Sequence, residues 1–294
     1  MKEKLIVSLF LFVMLFINLP ILAQESDIEN QIDPYYSRYL SKYVDENQVD
    51  FSQDYLKYCI ENNSKNQLSE FLSYDFSAMW TALNSMLYGA PLQNGIIGNN
   101  YQRIQIHISE VSKSKKNEAI YFVKGKSKVN NTICNFSGEI ELLRLTCNSD
   151  CNYSDFSECG SLVAKYTLYE DSLQRYSGFF KGITDCLIYF DTAKQMVGLD
   201  DTLSGADFYY NRTFVGTWTN YITKTSKKCI WGDDRLPYTF DFSHGDGQMV
   251  INEKYVKNGW ESFNDYSEYT ETSDGEWKLA DKWWLKDNEH YVNK

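Results

Sequence analysis

The residues best suited to chemistry lie in one acidic stretch, which reads WGDDR at residues 231–235 and DFSHGD at residues 241–246. Carboxylate and imidazole groups separated by a few residues can ligate a divalent metal ion or perform acid–base catalysis. On this interpretation the chain is a hydrolase. Its candidate catalytic residues are then Asp233, Asp241, His244 and Asp246.

The same stretch is also typical of a β-hairpin. Asp and Gly dominate tight turns for steric reasons, and an Asp–Arg pair beside a strand is often structural. The sequence contains no Gly-rich phosphate loop, no Gly-x-Ser-x-Gly elbow and no His-Glu-x-x-His helix. A glycosidase with paired carboxylates remains open, because its two acids need share no local motif. The sequence therefore favours a non-catalytic protein over an enzyme, and it predicts no cofactor.

Aromatic residues offer a second kind of chemistry, which is ligand binding. They make up 16% of the chain, with 23 Tyr and 7 Trp. An aromatic face can stack on a sugar ring or line an apolar pocket, but it can equally pack inside a β core. The candidate ligand-binding residues are Trp218, Trp231, Trp260 and Trp283.

The first 23 residues have the order of a secretory signal peptide. Lys2 and Lys4 precede an apolar run at residues 5–22, and Ala23 is a small residue at a plausible cleavage position. The run approaches the roughly 18 to 20 residues that span a bilayer, but Pro20 interrupts it. We therefore expect cleavage after Ala23, a secreted or periplasmic location, and no stable membrane span in the mature chain.

Seven cysteines in an exported protein suggest disulfides, and the odd number leaves at least one thiol free or paired with another chain. Cys147, Cys151 and Cys159 crowd one polar loop that contains no His. A disulfide is thus favoured over a metal cluster. We predict one local bridge among these three cysteines, with its connectivity open, and no metal site.

The formal net charge of −11 bears on possible partners. Nucleic acid is not expected, because phosphate binding needs a basic surface. A basic protein partner is compatible with this charge.

Glycine usage divides the chain into two parts. Residues 1–88 contain no Gly, and all 16 glycines fall between Gly89 and Gly275. Apolar residues recur at helical spacing in the first part, as in the stripe that begins at Phe76, Met79 and Trp80. From residue 98 onward, short alternating runs separated by turn residues indicate strands. We therefore predict an α+β fold, with a helical N-terminal subdomain at 24–97 and an antiparallel β-barrel or β-sandwich at 98–294.

An aromatic-x-Gly-x-apolar pattern begins at Phe136, Tyr176 and Phe214. Gly inside a strand marks a bulge or a tight bend, and such positions occur where a sheet curls to close a barrel.

The third of these segments, Phe214-Val-Gly216-Thr-Trp218, resembles the Gly-x-Trp signature of lipocalins and related calycin barrels. The resemblance implies a barrel in which this Trp packs across the bottom near a basic residue. The family carries its motif on the first strand, whereas here about 200 residues precede it. The chain is also similar to secreted proteins of Bacteroidota-type bacteria, with an export signal ending at Ala23-Gln24. That similarity implies export and supplies no activity.

The sequence thus favours a non-catalytic binding module for an apolar ligand, a glycan or a basic protein. The alternatives are the secreted hydrolase described above and a structural envelope protein. A cavity enclosed by the β domain would favour ligand binding over the structural role.

Overall fold

The computed structural model describes the greater part of the chain from residue 40 onward. The described residues are 40–42, 44–61, 65–81, 92–148, 158–191, 193–194, 196–203, 209–244, 249–264, 269–271, 273, 277–279 and 282–285. None of the helices in these segments is long and apolar enough to cross a membrane. The predicted signal peptide lies outside the described residues.

The core of the fold is a closed antiparallel barrel of eight strands. Each barrel strand pairs with the next along the chain, and the last, β9, pairs with β1. The strands are β1 (Gln93–Ile97), β2 (Gln102–Lys113), β3 (Ile120–Val129), β4 (Thr132–Asn148), β5 (Glu158–Glu170), β6 (Gly178–Asp191), β8 (Tyr210–Asn220) and β9 (Ser226–Asp234). This architecture confirms the predicted α+β fold with an antiparallel β part, and it selects a barrel over a sandwich.

One short strand, β7 (Met196–Leu199), pairs only with the end of β6. The first half of β6 pairs with β8, so β7 lies outside the closed circuit of barrel strands.

One observed boundary differs from the predicted one. The strand β1 belongs to the barrel although it falls within the segment predicted to be the helical subdomain, so the β part begins before residue 98.

Side chains alternate between the barrel interior and its outer face, as the two-residue period of a strand requires. On β9, Cys229 and Trp231 belong to the interior cluster, and Ile230 between them belongs to the outer cluster. Aromatic rings fill the middle of the interior. The ring centroids of Phe214 and Trp231 are 4.8 Å apart, and those of Tyr166 and Trp231 are 5.3 Å apart.

The glycines of the repeated pattern lie where neighbouring barrel strands approach closely. Gly216 on β8 faces Gly182 on β6, and a Cβ atom at Gly216 would lie 2.0 Å from the carbonyl oxygen of Lys181. No other residue type fits at that distance.

Helices cover one end of the barrel and part of its outside. Helices α2 (Leu68–Phe71) and α3 (Ser77–Thr81) lie at the end where β3 begins and β6 ends. There Trp80 contacts Tyr121 with ring centroids 5.4 Å apart, and Phe71 contacts Phe190 at 4.6 Å. Helix α1 (Ser52–Ile60) packs on the outer face of β6 and β8.

Short elements follow β9, and those that lie before residue 265 pack on the outside of the barrel as an outer layer. The short elements are β10 (Ser243–His244), β11 (Val250–Ile251), α4 (Glu253–Val256), α5 (Glu261–Asn264), β12 (Tyr269–Glu271), β13 (Trp277–Leu279) and a 3-10 helix (Trp283–Leu285). Trp260 is fully buried in this layer, and its indole Nε1 donates to the carbonyl oxygen of Tyr101 over 2.9 Å.

Candidate functional site

A cavity of about 560 Å³ opens at the end of the barrel opposite α2 and α3. Its wall comes from the ends of the eight barrel strands and from the turns that meet at this end. We call it the mouth cavity. The side chains that line it include Ile104, Ser127, Glu170, Phe180, Trp218 and Lys227.

Glu170, the last residue of β5, supplies a buried carboxylate to the mouth cavity, with only 6% of the residue exposed. Its Oε2 accepts hydrogen bonds from the backbone N–H of Gly178 at 2.8 Å and from the indole Nε1 of Trp218 at 2.9 Å. Its Oε1 accepts a hydrogen bond from the hydroxyl of Ser127. Three donors from three different strands therefore hold this carboxylate in one position.

Burial raises the pKa of the Glu170 carboxyl, because the charged form loses its hydration. The hydrogen bonds from Ser127, Trp218 and Gly178 act in the opposite direction, since they stabilise the carboxylate. The nearest cation over the indole is Lys227, whose Nζ lies 6.0 Å from the ring centroid of Trp218.

Apart from Glu170 and Lys227, the wall of the mouth cavity combines apolar surface with neutral polar groups. Ile104 and Phe180 supply apolar surface from the barrel interior, whereas the rim carries amides and hydroxyls. Two of the amides are already joined, since Gln102 Nε2 donates to Asn130 Oδ1 over 2.9 Å. Such a wall can bury an apolar face of a ligand and hydrogen-bond its polar groups.

The thiol of Cys134 also lines the mouth cavity, and this thiol is unreactive. Burial raises its pKa to about 12, and the charges of Glu170 and Asp171 act in the same direction. The thiol is thus protonated at neutral pH and is a poor nucleophile.

Of the four tryptophans predicted to bind ligand, only Trp218 lines the mouth cavity. Trp231 is fully buried among the interior aromatic rings, and Trp260 is fully buried in the outer layer. Trp283 is 2% exposed and packs near Lys128, whose Nζ lies 5.5 Å from its ring centroid. The prediction that these three side chains form a binding surface does not agree with their burial, which assigns them to packing.

The predicted catalytic residues are not united by the described contacts. Asp233 forms an ion pair with Arg212, with Oδ2 2.7 Å from Nε, and it also accepts from Gln93 Nε2 at 3.1 Å. Asp241 instead pairs with Lys254 and accepts from the hydroxyl of Tyr255 at 2.8 Å.

The remaining two candidates give no support to a catalytic cluster. His244 is exposed on β10, and Asp246 lies outside the described residues. Within the described ranges, no group of three or more His, Cys, Asp or Glu side chains could hold a metal ion. Of the three candidates that the structure describes, Asp233, Asp241 and His244, none lines the mouth cavity.

The predicted local disulfide involves Cys147, Cys151 and Cys159. Cys147 is a free thiol and Cys159 is disulfide-bonded, whereas Cys151 lies outside the described residues. Cys147 is therefore excluded from the predicted bridge, and the pairing of the other two stays a prediction.

Glu170 is the site residue that sequence reasoning missed. It follows Leu162, Ala164, Tyr166 and Leu168 at alternate positions of β5, so it continues the row of side chains that faces the barrel interior. A carboxylate in phase with an apolar face is the signal that could have identified it.

Trp218 lies at the open end of the barrel, away from the end that α2 and α3 cover.

The chain matches no model of a known protein family, and no curated protein and no solved structure is significantly similar to it. The geometry of the mouth cavity is therefore the basis for the proposals below.

Proposed function

We propose that this protein is a non-catalytic binding module that holds a small molecule in the mouth cavity of its barrel. The supporting observation is a cavity of about 560 Å³ that contains a buried, fixed carboxylate. This volume falls within the roughly 300 to 1,000 Å³ of typical ligand sites. Burial of a carboxylate costs stability unless it is well hydrogen-bonded, so its retention in a cavity wall is consistent with a binding role.

The lining favours a ligand that has both an apolar face and several hydrogen-bonding groups. Ile104 and Phe180 can contact the apolar face, and the amides and hydroxyls of the rim can pair with the polar groups. A glycan unit or a small amphipathic molecule has this character. A basic protein could reach the cavity only with a side chain, so it fits this volume less well than a small molecule does.

The N-terminal sequence also indicates the compartment in which the protein acts. The basic residues, apolar run and Ala23 are typical of an export signal, so we propose that the ligand is met in the periplasm or outside the cell.

The test is to express the mature chain, identify bound molecules by native mass spectrometry, and repeat the measurement on a variant with a blocked cavity. Thr132→Trp places an indole at the cavity wall, and Thr167→Trp adds the same side chain on the outer face of β5 as a matched control. We expect Thr132→Trp to abolish ligand retention and Thr167→Trp to preserve it.

Two results would contradict the proposal. One is equal retention by the two variants, which would place the ligand elsewhere. The other is the absence of any retained or added small molecule from the unmodified chain, which would favour the structural envelope role.

A further inference from the structure

We propose that the rim around the mouth cavity is a docking surface for an anionic lipid bilayer. The surface comprises the loop between β5 and β6, the turn between β8 and β9, and the start of β9. We call it the rim patch, and its members are Leu173, Arg175, Tyr176, Ile222, Lys224 and Lys227. The inference is independent of which molecule occupies the cavity.

Two large aliphatic side chains protrude from the rim patch. Leu173 is 92% exposed and Ile222 is 87% exposed, and Tyr176, in the same loop as Leu173, is 59% exposed. Leu and Ile are among the residues most often buried, and clustered exposure of such side chains marks protein or membrane contact sites.

Leu173 and Ile222 are the tips of the rim patch, and hydrogen bonds hold the backbone of each one in a turn. The backbone N–H of Leu173 donates to Asp171 Oδ1 at 2.9 Å, and the next residue, Gln174, is tied to the start of β4 because its Oε1 accepts from Asn135 N at 2.7 Å. The backbone N–H of Ile222 donates to Asn220 Oδ1, also at 2.9 Å. The backbone at the two tips would therefore lose little conformational entropy when their side chains insert into the bilayer.

The two loops form one continuous edge. The backbone N–H of Tyr221 donates to the carbonyl oxygen of Ser177 at 3.2 Å, and Asn220 Nδ2 donates to the same oxygen at 3.3 Å. The hydroxyl of Tyr221 donates to the carbonyl oxygen of Glu170 at 3.0 Å. The tips are thus positioned together and would contact a flat surface simultaneously.

A row of aromatic side chains lies on the outer face directly below the tips. The ring centroids of Tyr169 and Phe179 are 6.0 Å apart, and those of Phe179 and Tyr221 are 6.1 Å apart. Tyr169 is 52% exposed. Aromatic rings with a polar edge concentrate at the level of the lipid headgroups, where one end of the ring is apolar and the other is wet.

The charges of the rim patch differ in sign from those of the chain as a whole. Arg175, Lys224 and Lys227 are exposed and basic, and Asp171 is the one exposed acid in the same two loops. The whole chain carries −11, so this is a local basic region on an acidic protein. Basic side chains around apolar tips are complementary to anionic headgroups.

The shape of the rim patch favours a bilayer over a folded partner. The apolar tips are convex, and a protein would need a matched recess for each of them, whereas a bilayer accepts protruding apolar side chains without one. Docking in this orientation would point the opening of the mouth cavity at the lipid surface, because the tips and the opening lie at the same end of the barrel.

The experiment measures co-sedimentation of the mature chain with vesicles of equal parts phosphatidylglycerol and phosphatidylcholine, and with vesicles of phosphatidylcholine alone. We expect binding to the anionic vesicles that weakens as salt is added. The double variant Leu173→Asp/Ile222→Asp should bind them at least about tenfold more weakly, because the burial of two aliphatic side chains in the bilayer is lost. Circular dichroism would verify that the variant is folded.

The matched control is Leu203→Asp. Leu203 is also exposed, at 48%, but it follows β7 at the other end of the barrel. We expect this variant to bind vesicles like the unmodified chain.

A second readout is the fluorescence of Ile222→Trp, which should shift to shorter wavelength on anionic vesicles while that of Leu203→Trp does not. Failure of the unmodified chain to bind anionic vesicles would overturn the proposal and favour a protein partner for the rim patch. Equal losses of binding in the Leu203→Asp and rim variants would also overturn it.

Discussion

The indole of Trp218 donates a hydrogen bond from Nε1 to Oε2 of Glu170 over 2.9 Å, and it thereby connects β8 to the end of β5 across the intervening strand β6. The two residues are 48 positions apart in the chain. Both line the mouth cavity, so one contact joins two strands at the open end of the barrel and also fixes part of the cavity wall. The stability of the fold and the shape of the cavity wall are therefore coupled at this pair.

Substitution Glu170→Gln should destabilise the protein by about 1 to 3 kcal/mol. The side chain keeps its size, but one of its two acceptor oxygens becomes an NH2 group that cannot accept hydrogen bonds. At least one of the donors on Ser127, Gly178 and Trp218 then loses its partner in a buried place. Urea unfolding, followed by circular dichroism, measures the difference.

Glu139→Gln is the matched control, because Glu139 is exposed on the outer face of β4. We expect its free energy of unfolding to stay within about 0.5 kcal/mol of that of the unmodified chain. If the two variants were equally stable, the hydrogen bonds to Glu170 would have no net effect on the folded state.

The barrel could be predicted from the sequence because its signals are local. Strand alternation repeats along most of the chain, and glycines recur in the aromatic-x-Gly-x-apolar pattern at Gly138, Gly178 and Gly216. In the structure each of these glycines faces the backbone of a neighbouring strand, where a Cβ atom would come within 2.2 Å of a carbonyl oxygen. A pattern that is required by strand geometry is visible without knowledge of which strands meet.

The site could not be predicted in the same way, because its parts meet only when the barrel closes. The Glu170 carboxylate draws its donors from β3, β6 and β8, so no short motif contains them. The same reasoning applies to Asp233 in the acidic stretch. Asp233 looked available for catalysis, but its partner Arg212 lies 21 residues away and neutralises it inside the fold.

The ion pair between Arg212 and Asp233 should be among the most sensitive contacts in the molecule. Nε and Nη2 of Arg212 lie 2.7 and 2.8 Å from the two carboxylate oxygens, and the side chains are 2% and 10% exposed. Asp233→Asn leaves a buried guanidinium without its counterion. We expect a loss of about 3 to 5 kcal/mol, measured by chemical unfolding.

Asp241→Asn offers the comparison. Asp241 also pairs with a cation, Lys254, but both side chains are about half exposed. Exposed pairs contribute at most about 1 kcal/mol, so this variant should be nearly as stable as the unmodified chain. A larger loss for Asp241→Asn than for Asp233→Asn would contradict the assigned burial.

The close approach of β6 and β8 predicts the effect of adding one methyl group. Gly216→Ala would place Cβ 2.0 Å from the carbonyl oxygen of Lys181 and 2.7 Å from the Cα of Gly182. Both neighbours are backbone atoms, which cannot rotate away. We expect at least about 3 kcal/mol of destabilisation, at the upper end of what overpacking usually costs.

Gly232→Ala, on β9, is the control for this substitution. Its Cβ would meet the Cα of Thr213 at 3.2 Å, which small adjustments can relieve. We expect a melting temperature close to that of the unmodified chain, in contrast to a clear decrease for Gly216→Ala. Similar melting temperatures for the two variants would show that the strands are further apart than described.

The buried carboxyl of Asp185 predicts how stability depends on pH. Asp185 lies on the outer face of β6 beneath α1 and accepts a hydrogen bond from the hydroxyl of Tyr55. Burial raises its pKa from 3.8 to about 6, although the bond from Tyr55 acts in the opposite direction. Because the folded state binds this proton more tightly than the unfolded state, the contribution of Asp185 to stability decreases as pH rises from about 4 to 6.

Asp185→Asn should remove this dependence. The amide oxygen can still accept from Tyr55, but the group no longer ionises. We expect the variant to be more stable than the unmodified chain at pH 7, by up to about 3 kcal/mol, and nearly equal to it at pH 4. Urea unfolding at several pH values between 4 and 7 measures the difference.

Asp191→Asn serves as a control of opposite sign. Lys194 lowers the pKa of Asp191, so this carboxylate supports the fold at neutral pH and loses that contribution as pH falls. The Asp191→Asn variant should therefore be no more stable than the unmodified chain at pH 7. Parallel pH profiles for Asp185→Asn and the unmodified chain would mean that Asp185 is solvated, and that α1 does not cover it as described.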